Sequence, residues 1–161
     1  MIASKLFSRT MVRLKQWLDN PIPLKQSEIN AHMKAAYAYA ELSYCTKRQV
    51  GCVLVKDGSI IAIGYNGTPS GEENICEDDN NKTKSHVTHA EDNALRKLTK
   101  RTESSSNCHV FITTAPCISC AEKLIAADVA DIYYDAIYKN DDGIHYLNDR
   151  GFKVTKTNIK Q

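Results

Sequence analysis

The chain has 161 residues, 42% hydrophobic and 25% charged, which suits one soluble globular domain with its own core. Twenty-one basic against nineteen acidic residues leave a formal charge of +2, too little for the basic face of a nucleic-acid binder. No apolar run approaches the roughly 18–20 residues that cross a bilayer. Six scattered cysteines make no disulfide framework, so a reducing cytoplasm is the expected setting.

Residues 1–18 are basic, contain Ser and hold no acid. In composition this resembles a mitochondrial transit peptide. The plainer expectation is a surface helix that docks Leu6, Met11, Leu14 and Leu18, so that residues 1–25 form an N-terminal helical extension and 26–161 the main domain. Asp19-Asn20-Pro21-Ile22-Pro23 breaks that helix into an extended linker. Ser27 can cap a helix over about 27–44, with Ile29, Met33, Ala36, Tyr37 and Ala40 at helical spacing. Residues 50–56 and 59–65 read as strands, and Asp57-Gly58 between them is a hairpin signal.

Residues 66–88 read as a loop, and a loop this long is usually functional or disordered. Thr88 can cap a helix that runs to about Lys100. Val110–Thr114 reads as a third strand, and a helix follows from near Cys117 to near Ala127. Ile132-Tyr133-Tyr134 is a short strand, Gly143–Arg150 a short helix and Phe152-Lys153-Val154 a last strand, with a mobile polar tail from Thr157. This order implies a mixed five-stranded sheet between helices, a three-layer α/β/α sandwich.

His89-Ala90-Glu91 and Pro116-Cys117-Ile118-Ser119-Cys120 carry the chemistry. A catalytic zinc takes three protein ligands and leaves a fourth position open. His89, Cys117 and Cys120 supply one imidazole and two thiols, and Glu91 lies close enough to reach a water there without ligating. Zinc lowers the pKa of a bound water to near 7, and a carboxylate can then carry protons to the ring and to a departing amine. The pattern points to hydrolytic deamination. Helix starts at 89 and 117 bring positive dipole ends that favour thiolate. Pro116 suits the first position of a helix. A redox pair at Cys117 and Cys120 leaves His89 and Glu91 unexplained. A silent zinc module would need a fourth ligand such as His86.

These motifs are those of zinc nucleobase deaminases, and the chain resembles the cytidine/deoxycytidylate deaminase superfamily, most closely its deoxycytidylate (dCMP) deaminases. Tyr44-Cys45-Thr46-Lys47-Arg48-Gln49-Val50-Gly51, Gly64-Tyr65-Asn66-Gly67-Thr68-Pro69-Ser70-Gly71 and His89-Ala90-Glu91-Asp92-Asn93-Ala94 carry the closer likeness, over about residues 27–155. The resemblance implies conversion of dCMP to dUMP for thymidylate synthesis. It also implies a homohexamer activated by dCTP and inhibited by dTTP, with Mg2+ accompanying the triphosphate, and neither membrane nor nucleic acid as partner. It implies that Asn66, the Ala90 N–H and Tyr134 contact the substrate, with Tyr138 nearby. Lys47, Arg48 and the loop Gly64, Tyr65, Asn66 and Gly67 are candidates for holding a phosphate or effector. Some members hold a second, structural zinc, for which Cys45, Cys76 and His86 sit in suitable regions. Cys52 and Cys108 read as core thiols, and His32, His109 and His145 as structural. The competing functions are a tRNA adenosine deaminase-like editing enzyme, a pterin or riboflavin-precursor deaminase and a non-catalytic zinc-stabilised binding module.

Overall fold

A computed structural model of the chain describes residues 21–159. The helix expected over 1–18 lies outside the described residues.

The first described helix, α1, spans Gln26–Ala40. Its N-cap is Lys25, two residues before Ser27, and the Glu28 carboxylate accepts the Lys25 N–H there at 2.7 Å. It also ends four residues early. The chain turns through Glu41 and Leu42, and the buried Ser43 hydroxyl donates to the Asn66 carbonyl at 2.8 Å. Strands β1 (Gly51–Lys56) and β2 (Ser59–Tyr65) form the expected hairpin, with Asp57 and Gly58 both at positive φ. That is the backbone a tight two-residue turn requires.

Helix α2 spans Ala90–Leu98, β3 His109–Thr114, α3 Ile118–Ala126, β4 Ile132–Ala136, α4 Asp142–Asn148 and β5 Val154–Lys156. The five strands form one mixed sheet in the order β2-β1-β3-β4-β5. β1 pairs antiparallel with β2 and β3, whereas β3, β4 and β5 run parallel. β1 and β3 are buried almost throughout, as expected of central strands covered on both faces. Met33 and Ala36 of α1 pack on Val53, Val55, Phe111 and Tyr133. On the opposite face, Ala90, Ala94, Ala121, Leu124 and Leu147 pack on Cys52, Leu54, Val110 and Ile132. The result is the three-layer sandwich, with α1 on one face and α2, α3 and α4 on the other.

Two C-terminal expectations need correction. The last strand lies two residues later than the hydrophobic run suggested. After α4 the Phe152 N–H bonds the Leu147 carbonyl at 3.1 Å and Gly151 adopts φ +81°, a glycine-terminated helix end that consumes residues 149–152. Residues 157–159, expected to begin a mobile tail, are anchored. Thr157 is buried, and its hydroxyl and the Ile159 N–H both bond Asp135, whose second oxygen accepts from Tyr37 at 2.6 Å.

Candidate active site

The parallel half of the sheet brings the two motifs together. β3 ends at Thr114, and Pro116 turns the chain so that Cys117 caps α3 with Cys120 one turn inside. α2 starts beside it, on the same face of the sheet. Its N-cap is His89, not Thr88, because Thr88 is engaged in a two-way backbone bridge with Gly67, at 2.8 and 3.1 Å. Asp92 ties the two helices. Its carboxylate pairs with Lys123 of α3 at 3.0 Å and Arg96 of α2 at 2.9 Å.

His89 Nδ1 lies 3.6 Å from Cys117 Sγ and 3.4 Å from Cys120 Sγ, and the three donor atoms fall within 4.8 Å of one another. Zinc binds sulfur at about 2.3 Å and imidazole nitrogen at about 2.0–2.1 Å, so tetrahedral ligation sets nitrogen and sulfur about 3.5 Å apart. The donor set fits that ion in chemistry and in spacing. Bonds from Cys120 and His89 hold the Cys117 thiol down to about 3, and the same pairing with Cys117 raises His89. Cys120 is pushed up by its bond to Cys117 and by burial. Glu91, only 3% exposed at the second position of α2, is raised by burial to about 7. A carboxyl group balanced near neutrality can both take and give a proton.

These groups open onto a cavity of about 300 Å³ whose lining includes His89, Glu91, Cys117, Asn66, Arg48 and Tyr138. A volume of that size suits a small-molecule site. Lys47, Arg48 and Lys139 supply its positive charge. Arg48 Nε bonds Thr114 Oγ1 at 3.0 Å, and the guanidinium lies 5.0 Å from the centre of the Tyr138 ring, which Lys139 flanks at 5.5 Å.

Several sequence-derived expectations change here. Tyr134 packs in the core against Ile112 and Ile144 and does not line the cavity; Tyr138 does. Neighbouring residues of a strand point to opposite faces, but β4 is covered on both, so Tyr133 and Tyr134 are both buried. Asn66 and Ala90 line the cavity as expected. The Asn66 amide, however, bridges the β1 entry, accepting from Val50 N–H and donating to the Arg48 carbonyl, each at 2.8 Å. Gly64 is buried beneath α2, Tyr65 lies under Lys97, and Gly67 holds Thr88, so none of these three lines the cavity. Lys139, Asn140 and Thr83 line it without having been singled out in the sequence, and Glu77 lines it too. Nothing local in the sequence placed Lys139 and Asn140, which follow β4, over the site.

Cys45, Cys76 and His86 do not converge on a second ion. Cys45 and Cys76 are joined as a disulfide, and His86 pairs with Glu72 at 3.3 Å. Disulfide sulfurs are not thiolate ligands. The remaining cysteines, Cys52, Cys108, Cys117 and Cys120, are free, and Cys52 and Cys108 are core thiols as read. The Glu77 carboxylate accepts the Thr46 and Lys47 N–H groups at 3.2 Å, which closes the same two loops on each other.

Comparison with known proteins bears on this geometry. The family model for the cytidine and deoxycytidylate deaminase zinc-binding region matches residues 26–136. The chain belongs to this family. Deoxycytidylate deaminase of Saccharomyces cerevisiae is 33% identical over 133 residues, covering 77% of this chain and 40% of the yeast protein. That of Schizosaccharomyces pombe is 34% identical over 135 residues, covering 77% of this chain and 42% of its own. The chain therefore spans about two-fifths of the length of these relatives. The structure of dCMP deaminase from the cyanophage S-TIM5, in complex with dCMP and dUMP, superposes with a TM-score of 0.82 at 40% identity, covering 84% of this chain and all of the phage chain. The fold is that of this deaminase family. Among the described residues no helix is long and apolar enough to cross a membrane.

Proposed function

We propose that the protein is a zinc-dependent dCMP deaminase that converts dCMP to dUMP and ammonia. The observation that carries this reading is a His-Cys-Cys donor set at tetrahedral zinc spacing beside a buried carboxyl group raised to about 7, in a cavity rimmed by cations. Family membership and the dCMP-bound phage relative support the pyrimidine nucleotide as substrate.

His89, Cys117 and Cys120 would hold the zinc, which supplies a Lewis acid and lowers the pKa of water. Glu91 takes the proton of the attacking water and delivers it to the ring nitrogen, then takes the proton of the hydroxyl so added to the ring carbon and gives it to the amine, which departs as ammonia while the carbonyl forms. Its burial keeps the proton within reach of both acceptors. The Ala90 N–H, among the donors a helix start leaves without an intrahelical partner, meets the pyrimidine edge. Asn66 fixes the β1 entry that carries Arg48 into the cavity.

Lys47, Arg48 and Lys139 receive the 5′-phosphate. Arg48→Met is expected to raise KM for dCMP about 10–100-fold with little change in kcat, because one charged hydrogen bond is worth about 1.5–3 kcal/mol. Steady-state kinetics on dCMP and on deoxycytidine checks this, since the nucleoside should not sense the change. The decisive assay is incubation of the protein with dCMP while following ammonia and dUMP. Turnover of free cytosine or deoxycytidine alone would remove the nucleotide from the reading.

Regulation by dCTP and dTTP with Mg2+, and assembly as a homohexamer, complete the proposal; the Cys45–Cys76 disulfide removes the ground on which a reducing cytoplasm was expected. A second cleft of about 760 Å³, lined by Lys34, Lys47, Arg48 and Gln49, shares two cations with the substrate cavity and is a place where an effector could act on it.

A further inference from the structure

The depth at which α2 and α3 begin on the sheet decides where the three donor atoms lie. Two glycines control that depth. Gly143, buried in the first turn of α4, faces the turn that carries Cys117. A methyl group there would overlap the Pro116 carbonyl oxygen and stand 2.8 Å from the Pro116 carbonyl carbon and 2.9 Å from that of Cys117. Gly64, buried in β2, faces the start of α2. A methyl group there would overlap the Ala90 carbonyl oxygen and stand 2.5 Å from Ala94 N and 3.0 Å from Ala94 Cα. Neither glycine has a positive φ, so it is space and not backbone conformation that demands them.

We infer that Gly143 and Gly64 are positioning residues for the metal centre, Gly143 seating the Cys117 turn and Gly64 seating the His89–Glu91 turn. Carbon atoms rest about 3.5–4.0 Å apart, so an added methyl must drive the backbones about 1 Å further apart. The turn has little room to give. Pro116 fixes its own φ, and α4 is held in the core by the buried Ile144 and Leu147. The displacement therefore falls on the ligands. A displacement of about 1 Å in a supporting element can cost 10²-fold in rate, and loss of support behind a metal ligand typically costs 10–100-fold in metal affinity.

A third glycine supplies the control. A methyl group on Gly51 would overlap the Ala36 carbonyl oxygen and stand 2.7 Å from Ala40 N, an equal intrusion, but beneath α1 on the other face of the sheet. Gly143→Ala, Gly64→Ala and Gly51→Ala in the full chain are compared by zinc release to a chromogenic chelator and by the visible spectrum after cobalt(II) replaces zinc. That spectrum reports thiolate placement independently of turnover.

This inference rests on the zinc-deaminase reading. Zinc release is expected to quicken about tenfold or more in Gly143→Ala and Gly64→Ala. Their cobalt bands should shift, and kcat should fall with KM little changed. Gly51→Ala should lose comparable thermal stability while keeping wild-type zinc release and spectrum. Wild-type behaviour of both site variants, or an equal disturbance in Gly51→Ala, would overturn the inference. If Gly143→Ala is insoluble, Gly64→Ala carries the same readouts. Insolubility of both would overturn it too, by assigning the glycines to the fold as a whole. A wild-type protein without zinc overturns the metal reading and this inference together; zinc-loaded wild type with indifferent glycines overturns this inference alone.

Discussion

Replacing Glu91 with Gln is expected to lower kcat for dCMP by about 10³–10⁴-fold while zinc content and fold persist. The amide keeps the volume of the acid and its place at the second position of α2 but cannot exchange a proton. Glu91 is not among the three clustered donors, so the metal does not depend on it. Zinc per chain, circular dichroism and single-turnover rates on dCMP check the three parts separately. Unchanged turnover would remove Glu91 as the proton carrier.

The same substitution carries a pH signature. Burial raises the folded-state pKa of Glu91 from 4.5 to about 7. The folded chain therefore binds more protons than the unfolded chain between those values, and stability falls as pH rises through that window. At about 1.4 kcal/mol per pKa unit the contribution lost by pH 8 is about 3 kcal/mol. Chelator-treated wild type should lose stability between pH 4.5 and 7 on this account, and chelator-treated Glu91→Gln should lose that slope. Denaturant midpoints at several pH values measure the difference.

Phe111→Ala is expected to cost about 3–5 kcal/mol of stability. Phe111 is fully buried at the centre of β3. Its ring stacks on Tyr133 at 4.7 Å and 7°, and His32 of α1 tilts against it at 5.2 Å. Truncation opens a cavity between sheet and α1 that these rings cannot fill. The loss lies on the face away from the zinc donors, so the surviving folded protein should still turn over dCMP at low temperature. Urea midpoints measure the first effect and activity well below the transition the second. A small stability loss would mean that α1 can collapse onto the gap.

How much of this was legible beforehand follows from how local each signal is. The β1–β2 hairpin was legible because Val- and Ile-rich runs flank Asp57-Gly58, and the zinc donors because each motif half is a short spacing at a helix start. Where the outcome depended on contacts distant in sequence, the reading slipped. Cys45 and Cys76 meet across a separation of 31 residues, which no spacing rule encodes. Asp135 gathers Tyr37, Thr157 and Ile159, and so orders a tail that composition alone marks as polar. Gly64 looked like phosphate chemistry in the sequence, and the structure makes it a seat for α2. Tyr138 and Lys139 reach the cavity through a loop after β4 whose path only the folded chain reveals.

Zinc content of the purified chain, measured together with dCMP turnover in the wild type and in Cys117→Ser, decides whether these three side chains hold a catalytic ion. One zinc per chain is expected, held by His89, Cys117 and Cys120, with turnover that falls as a chelator removes the ion and returns when zinc is restored. Cys117→Ser should lose both metal and turnover. Full activity in a metal-free preparation, or in Cys117→Ser, would contradict it.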